Sequence, residues 1–169
     1  MDSQKIVPLK RLILIRHAKS SWKYNVSDID RPISNRGYND IFIMSEILRN
    51  LKIKFDICFS SPAKRASDTG NSFLKNLDLN EELKLNSKSV LYDFEGTDTK
   101  NFIKNINDDF NSVLIFSHNN TCTNLLNHFS NYSNVHVPTC GIIIFEFDVS
   151  LWKEIEKGEC KYYFPKNFK

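Results

Sequence analysis

"LILIRHAKSSW", residues 12–22, sets an unbroken apolar run directly against an arginine, a histidine and a lysine. The run of Leu and Ile is far too short to span a membrane and suits a strand buried on both faces. The charged half then begins where the strand ends. In an open α/β sheet, ligands bind beyond the carboxyl ends of the strands, so Arg16 and His17 are the first candidates for chemistry. Three more runs have the same character: "FDICFS" at 55–60, "SVLIFS" at 112–117 and "GIIIFEFDV" at 141–149. Uniformly apolar strands of this kind belong in a sheet covered on both sides.

Helical spacing fills the intervals between the strands. Ile41, Met44, Leu48 and Leu51 follow Ser34, a good N-cap; Ala66, Phe73 and Leu77 follow Pro62. Phe102, Ile103, Ile106 and Phe110 make a third stripe, and Cys122, Leu125, Leu126 and Phe129 a fourth. Strand then helix, repeated, predicts a three-layer α/β/α sandwich with a mostly parallel central sheet, in one domain over residues 1–169. Residues 18–33 and 86–97 follow neither period and read as loops near strand ends.

Bulk properties narrow the partners. The 169 residues are 41% hydrophobic and 25% charged, the make-up of a globular domain. With 23 basic against 20 acidic residues the net charge is +3, too mild for a nucleic-acid partner and compatible with a small anionic one. Cys58, Cys122, Cys140 and Cys160 form no CxxC pair, and the opening "MDSQKIVPLKR" lacks the apolar core of a signal peptide. A cytoplasmic chain with reduced thiols and no membrane partner is the expectation.

Three strand-to-helix junctions carry a basic residue just beyond the apolar run: Arg16 and His17, Arg65 in "SSPAKRASDT", and His118 in "SHNNT". In a parallel sheet these junctions share one edge, so the four side chains can converge. Two guanidinium forks match phosphate oxygens, and Asn119 or Asn120 can cap the following helix and add backbone N–H donors. The implied ligand is a phosphoryl group, with a phosphate or sulfate ion as its simplest occupant. A neutral imidazole can attack phosphorus, and nearby arginine charge helps keep it neutral.

Other residues read as structural. Asp30, Arg31 and Arg36 in "DIDRPISNRG" are expected to form structural pairs that fix the loop ahead of the helix capped by Ser34. Lys19, Ser20 and Ser21 are candidates to help bind substrate, but an ordinary polar loop explains them almost as well, and they stay outside the catalytic set. His128 and His136 show no ligand spacing with each other or with a cysteine, so no metal is expected. "CFSSPAKR" resembles a cysteine phosphatase loop, but six residues separate Cys58 from Arg65 instead of five. Pro62 also removes a needed donor, and a strand-buried thiol is a poor nucleophile.

"LIRHAKSSW", "DIDRPISNRG", "SSPAKRASDT", "SHNNT" and "VPTCG", in this order, resemble the histidine phosphatase superfamily, most closely its small SixA-type phosphohistidine phosphatases. The resemblance runs from about residue 10 to "FPKNF" near the C-terminus. It implies a phosphoglycerate mutase-like fold and a phosphatase that works without cofactor. His17 would be the nucleophile, and Arg16, Arg65 and His118 would bind substrate and complete the catalytic set. "RHA" and "SHN" stand where "RHG" and "GHN" are commoner. Where larger relatives place a glutamate as general acid, this chain offers only Asp93 and Glu95 in "LYDFEGTD". An alkoxide leaving group needs that acid, whereas the imidazole of phosphohistidine can leave already protonated at its other nitrogen. The expected substrate is therefore a phosphorylated protein carrying phosphohistidine, with a small phosphorylated metabolite or mere phosphate binding as the alternatives.

Overall fold

Alternation along the first strand divides the molecule into its layers. The computed structural model describes residues 9–169. In β1 (Lys10–Arg16), Leu12 and Leu14 enter one core while Ile13 and Ile15 enter the other, as the two-residue period of a strand requires. Each of the four is fully buried. Truncating one to alanine costs about 2–5 kcal/mol.

The same division runs through β2 (Ile57–Ser60), β4 (Ser112–Ser117) and β5 (Ile142–Phe147). Phe59, Val113, Ile115, Ile143 and Phe145 share the core of Leu12 and Leu14, against α3 (Thr97–Lys104) and α4 (Thr121–Phe129). Cys58, Leu114, Phe116, Ile142 and Ile144 share the core of Ile13 and Ile15, against α1 (Asn35–Asn50) and α2 (Lys64–Asn76). Two short strands, β3 (Leu85–Ser87) and β6 (Glu159–Tyr163), form the edges.

The six-stranded sheet runs β3-β2-β4-β1-β5-β6. β1 pairs parallel with β4, β4 with β2 and β2 with β3, while β5 is antiparallel to β1 and β6 antiparallel to β5. This is the expected three-layer, mostly parallel architecture. Both edge strands lie outside the four runs read from the sequence. β3 falls partly in the stretch taken as loop, and β6, "ECKYY", is half-covered and lacks an apolar run.

Helix limits follow local chemistry. Ser34 caps α1 as expected, its Oγ accepting from Gly37 N at 3.1 Å. Gly37 is required because a Cβ there would lie 2.3 Å from the Lys19 carbonyl oxygen. α3 is shorter than its apolar stripe: it ends at Lys104, while Ile106 and Phe110 reach the same core from the turn beyond it. α4 carries its stripe as expected, but Asn120 makes no side-chain cap; Asn119 Oδ1 instead accepts from Thr123 N at 3.4 Å and Thr123 Oγ1 at 2.6 Å. No helix among the described residues is long and apolar enough to cross a membrane.

Candidate active site

β1, β2 and β4 run parallel and stop at Arg16, Ser60 and Ser117, so the segments that follow them meet at one edge of the sheet. The ladder continues one step further where His17 N donates to Ser117 O at 2.9 Å, setting His17 beside His118. Their ring centroids are 5.3 Å apart. Arg65, in the first turn of α2, reaches the same place with Nε 3.4 Å from His17 Nε2. Arg16, His17, Arg65 and His118 together line a cleft of about 250 Å³.

Each of the four is oriented by a specific partner. His17 Nδ1 lies 2.8 Å from the Ala18 carbonyl oxygen. A carbonyl can only accept, so Nδ1 carries the proton and the lone pair is on Nε2, facing Arg65. Ala18 is held in turn by Thr69, whose Oγ1 accepts from Ala18 N at 2.9 Å and donates to Arg65 O at 2.6 Å. Residues 65 and 69 lie one helical turn apart, so a single face of α2 supplies both the arginine and the anchor of the histidine loop. Arg16 Nη1 donates to Val137 O at 2.8 Å, and His118 Nε2 lies 2.8 Å from Ser61 Oγ. Arg16 Nε and His118 Nδ1 are buried without a protein partner among the described residues. Buried polar atoms left open in a cleft are the ones a ligand can satisfy.

Burial dominates the electrostatics. It pushes His17 down to about 3, with the positive fields of His118, Arg65 and Arg16 acting the same way and the hydrogen bond to Ala18 opposing them. Burial also pushes His118 down to about 3, reinforced by Arg65 and opposed by Asp28. Both imidazoles are neutral at physiological pH.

The other candidates fall elsewhere. Asp93 accepts from Glu95 N, Gly96 N and Thr99 N at 3.0–3.1 Å and from Thr99 Oγ1 at 2.8 Å, so its carboxylate closes the start of α3. Burial alone would raise its pKa, but these donors hold it below the ordinary value. Glu95 is exposed, and neither residue lines the cleft. Burial pushes the Cys58 thiol far up, in keeping with an inert strand residue. Among the described residues no group of His, Cys, Asp and Glu is placed to hold a metal ion.

The cleft also contains residues that the sequence does not place there, among them Ser20, Trp22, Asp28 and Arg31. Of the expected structural residues, Arg31 pairs with Asp28 and Asp30 accepts from Ser27, both within the loop, while Arg36 is exposed and makes no ion pair among the described residues. Asp28 takes an ion pair from Arg65 at 3.0 Å and a hydrogen bond from Tyr92 at 2.5 Å. Arg31 donates to Ser20 Oγ and lies 3.8 Å from the ring centroid of Trp22, so both line the cleft with it. Spacing along residues 18–33 carries no signal for these contacts, because the loop has no period and its partners lie up to 64 residues away.

Sheet and cleft together define an α/β enzyme of the phosphatase or mutase type. The chain belongs to the histidine phosphatase superfamily (branch 1), whose model matches residues 12–110. An uncharacterised chloroplastic protein of Arabidopsis thaliana is 28% identical over 153 residues, which cover 86% of this chain and 70% of that protein. Among solved structures, the protein histidine phosphatase SixA complexed with tungstate superposes with a TM-score of 0.80 at 20% identity, over 94% of this chain and 99% of that one. A phosphoglycerate mutase from Bacillus anthracis str. Sterne superposes with a TM-score of 0.73 at 16% identity, over 91% and 93%. The fold is thus phosphoglycerate mutase-like and shared with SixA.

Proposed function

We propose that this chain removes phosphate from protein phosphohistidine, with His17 as nucleophile and Arg16, Arg65 and His118 as the clamp on the transferred group. The observation that carries this reading is the character of the cleft's acid. Among the described lining residues the one carboxylate is Asp28, which Tyr92 and Arg65 hold ionised, so the cleft offers no carboxylic acid to protonate an alkoxide. A phosphohistidine substrate needs none, because its imidazole departs as a neutral base once its other nitrogen is protonated.

The chemistry balances on the atoms present. The Nε2 lone pair of His17 forms the new P–N bond as the substrate's P–N bond breaks. Throughout, the proton stays on Nδ1 and is donated in a hydrogen bond to the Ala18 carbonyl oxygen. Arg16, Arg65 and a neutral His118 that donates through Nδ1 stabilise the charge on the equatorial oxygens. Water then attacks the phosphorus, His17 leaves as the same neutral tautomer, and the water proton passes to phosphate or solvent. That SixA, of the same fold, is complexed with tungstate supports the binding of a tetrahedral oxyanion. The reading keeps the chain free of cofactor and sets its action in the cytoplasm.

The test compares phosphate release from a phosphohistidine protein, a phosphoserine peptide and a panel of small phosphate esters. Release from the phosphohistidine protein at least about 100-fold faster than from the others supports the reading. Preference for small esters contradicts it, and binding of phosphoprotein without release makes the chain a binding module.

A further inference from the structure

Arg65 has two recognition edges. One is formed by its two terminal nitrogens, the other by Nε and the terminal nitrogen beside it. Asp28 occupies the first: Nη1 donates to its carbonyl oxygen at 2.6 Å and Nη2 to its Oδ2 at 3.0 Å. The second faces His17, with Nε 3.4 Å from Nε2, where phosphorus would arrive. The guanidinium is 2% exposed, so bulk water does not share in holding it.

Asp28 is itself gripped from three segments of the chain. Tyr92, just past the short helical turn at 89–91, donates its hydroxyl to Oδ2 at 2.5 Å. Arg31 donates to Oδ1 at 3.2 Å, and Arg65 of α2 makes the third contact. Burial alone would raise this carboxyl, but the bonds from Tyr92 and Arg65 outweigh it and bring it down to about 2. Arg31 is anchored on Ser20 and Trp22. The loop that follows His17 therefore turns back and holds the arginine opposite it.

We infer that Asp28 is a positioning residue: by holding the terminal edge of Arg65 it presents the Nε edge to the phosphoryl group on His17. The inference rests on Arg65 as a phosphate ligand and is independent of which leaving group the enzyme accepts. A carboxylate this close to the ligand's arginine has an alternative consequence of opposite sign. If Asp28 merely competed with phosphate for Arg65, removing it would tighten binding.

The experiment is titration of the purified chain with inorganic phosphate by calorimetry, together with NMR of the Arg65 Nε–H in arginine-labelled protein. Asp28→Ala is expected to weaken phosphate about tenfold, the loss of one charge-assisted contact that orders the site. The Nε–H signal should broaden or shift in the folded variant, a local change that a loss of stability alone does not produce. Asp28→Asn, which keeps an acceptor oxygen, should recover part of the loss, and Tyr92→Phe should show a smaller loss of the same kind. In an Arg65→Lys background, Asp28→Ala should add nothing, since an ammonium has no edge to orient. Unchanged or tighter phosphate binding in Asp28→Ala overturns the inference, as does an equal loss in the Arg65→Lys background. Failure of the unaltered chain to bind phosphate overturns the phosphate site itself, and the inference with it.

Discussion

Two aspartates on two loops show how differently one side chain can be used. Asp93 precedes α3 and is enclosed by backbone N–H groups, all supplied within six residues of it. Asp28 lies in the loop after β1 and is held by side chains drawn from 3, 37 and 64 residues away. A carboxylate satisfied by nearby amides terminates a helix. One satisfied by distant arginines and a tyrosine ties together parts of the cleft, and its loss is felt by the ligand. The lesson is that an acidic residue near a site is classified by its donors, not by its position in the chain.

The largest effect that sharpens this contrast lies beside Asp28. His17→Ala should lower release from phosphohistidine protein by roughly 10⁴-fold or more in a rapid-quench assay, since a nucleophile has no substitute. Arg65→Ala or His118→Ala should each cost about 10²–10³-fold in kcat, the usual loss for one preorganised donor. Asp93→Ala should leave untouched the phosphate affinity that Asp28→Ala lowers. Urea unfolding should show a loss of about 1–2 kcal/mol, the cost of a helix cap, while phosphate affinity and the ratio of phosphohistidine to ester hydrolysis stay the same. A fall in ester hydrolysis alone would instead make Asp93 an acid.

Acid sets the two halves of the electrostatics apart more gently. In the folded chain His17 and His118 lie at about 3, against an ordinary value near 6.5 when unfolded. Between those limits the unfolded chain binds protons that the folded chain refuses, so stability rises with pH across that window and falls as acid is added. Asp28, lowered to about 2 from 3.8, adds a stabilising contribution that is complete above the higher value and is lost as pH falls through the lower. Urea midpoints at pH 7 and pH 4.5 should differ, and His118→Asn should reduce the difference. For the same reason, kcat/KM should lack an acid limb near 6.5, because the free enzyme's imidazoles are already neutral there.

What the sequence reveals follows from range of interaction. The four apolar runs are legible because each strand is covered on both faces, so no alternation hides them. Arg16, His17, Arg65 and His118 could be brought together in thought because parallel strands place the residues after them on one edge. β3 and β6 escape because an edge strand shows a half-polar, short pattern that turns share. Asp28, Arg31 and Tyr92 escape for a different reason. Their pairing depends on how residues 18–33 fold back over α2, which no local period encodes. The same blindness lets Asp93 look like an acid, since nothing in "LYDFEGTD" announces that the carboxylate turns toward the N–H groups of Gly96 and Thr99.

Trapping the phosphorylated enzyme is the most direct measurement. Quenching turnover of a phosphohistidine protein in alkali should yield one acid-labile phosphate per chain, and ³¹P NMR with peptide mapping should locate it on Nε2 of His17. Phosphate on Nδ1, on another residue, or on none while His17→Ala still turns over, would contradict the mechanism.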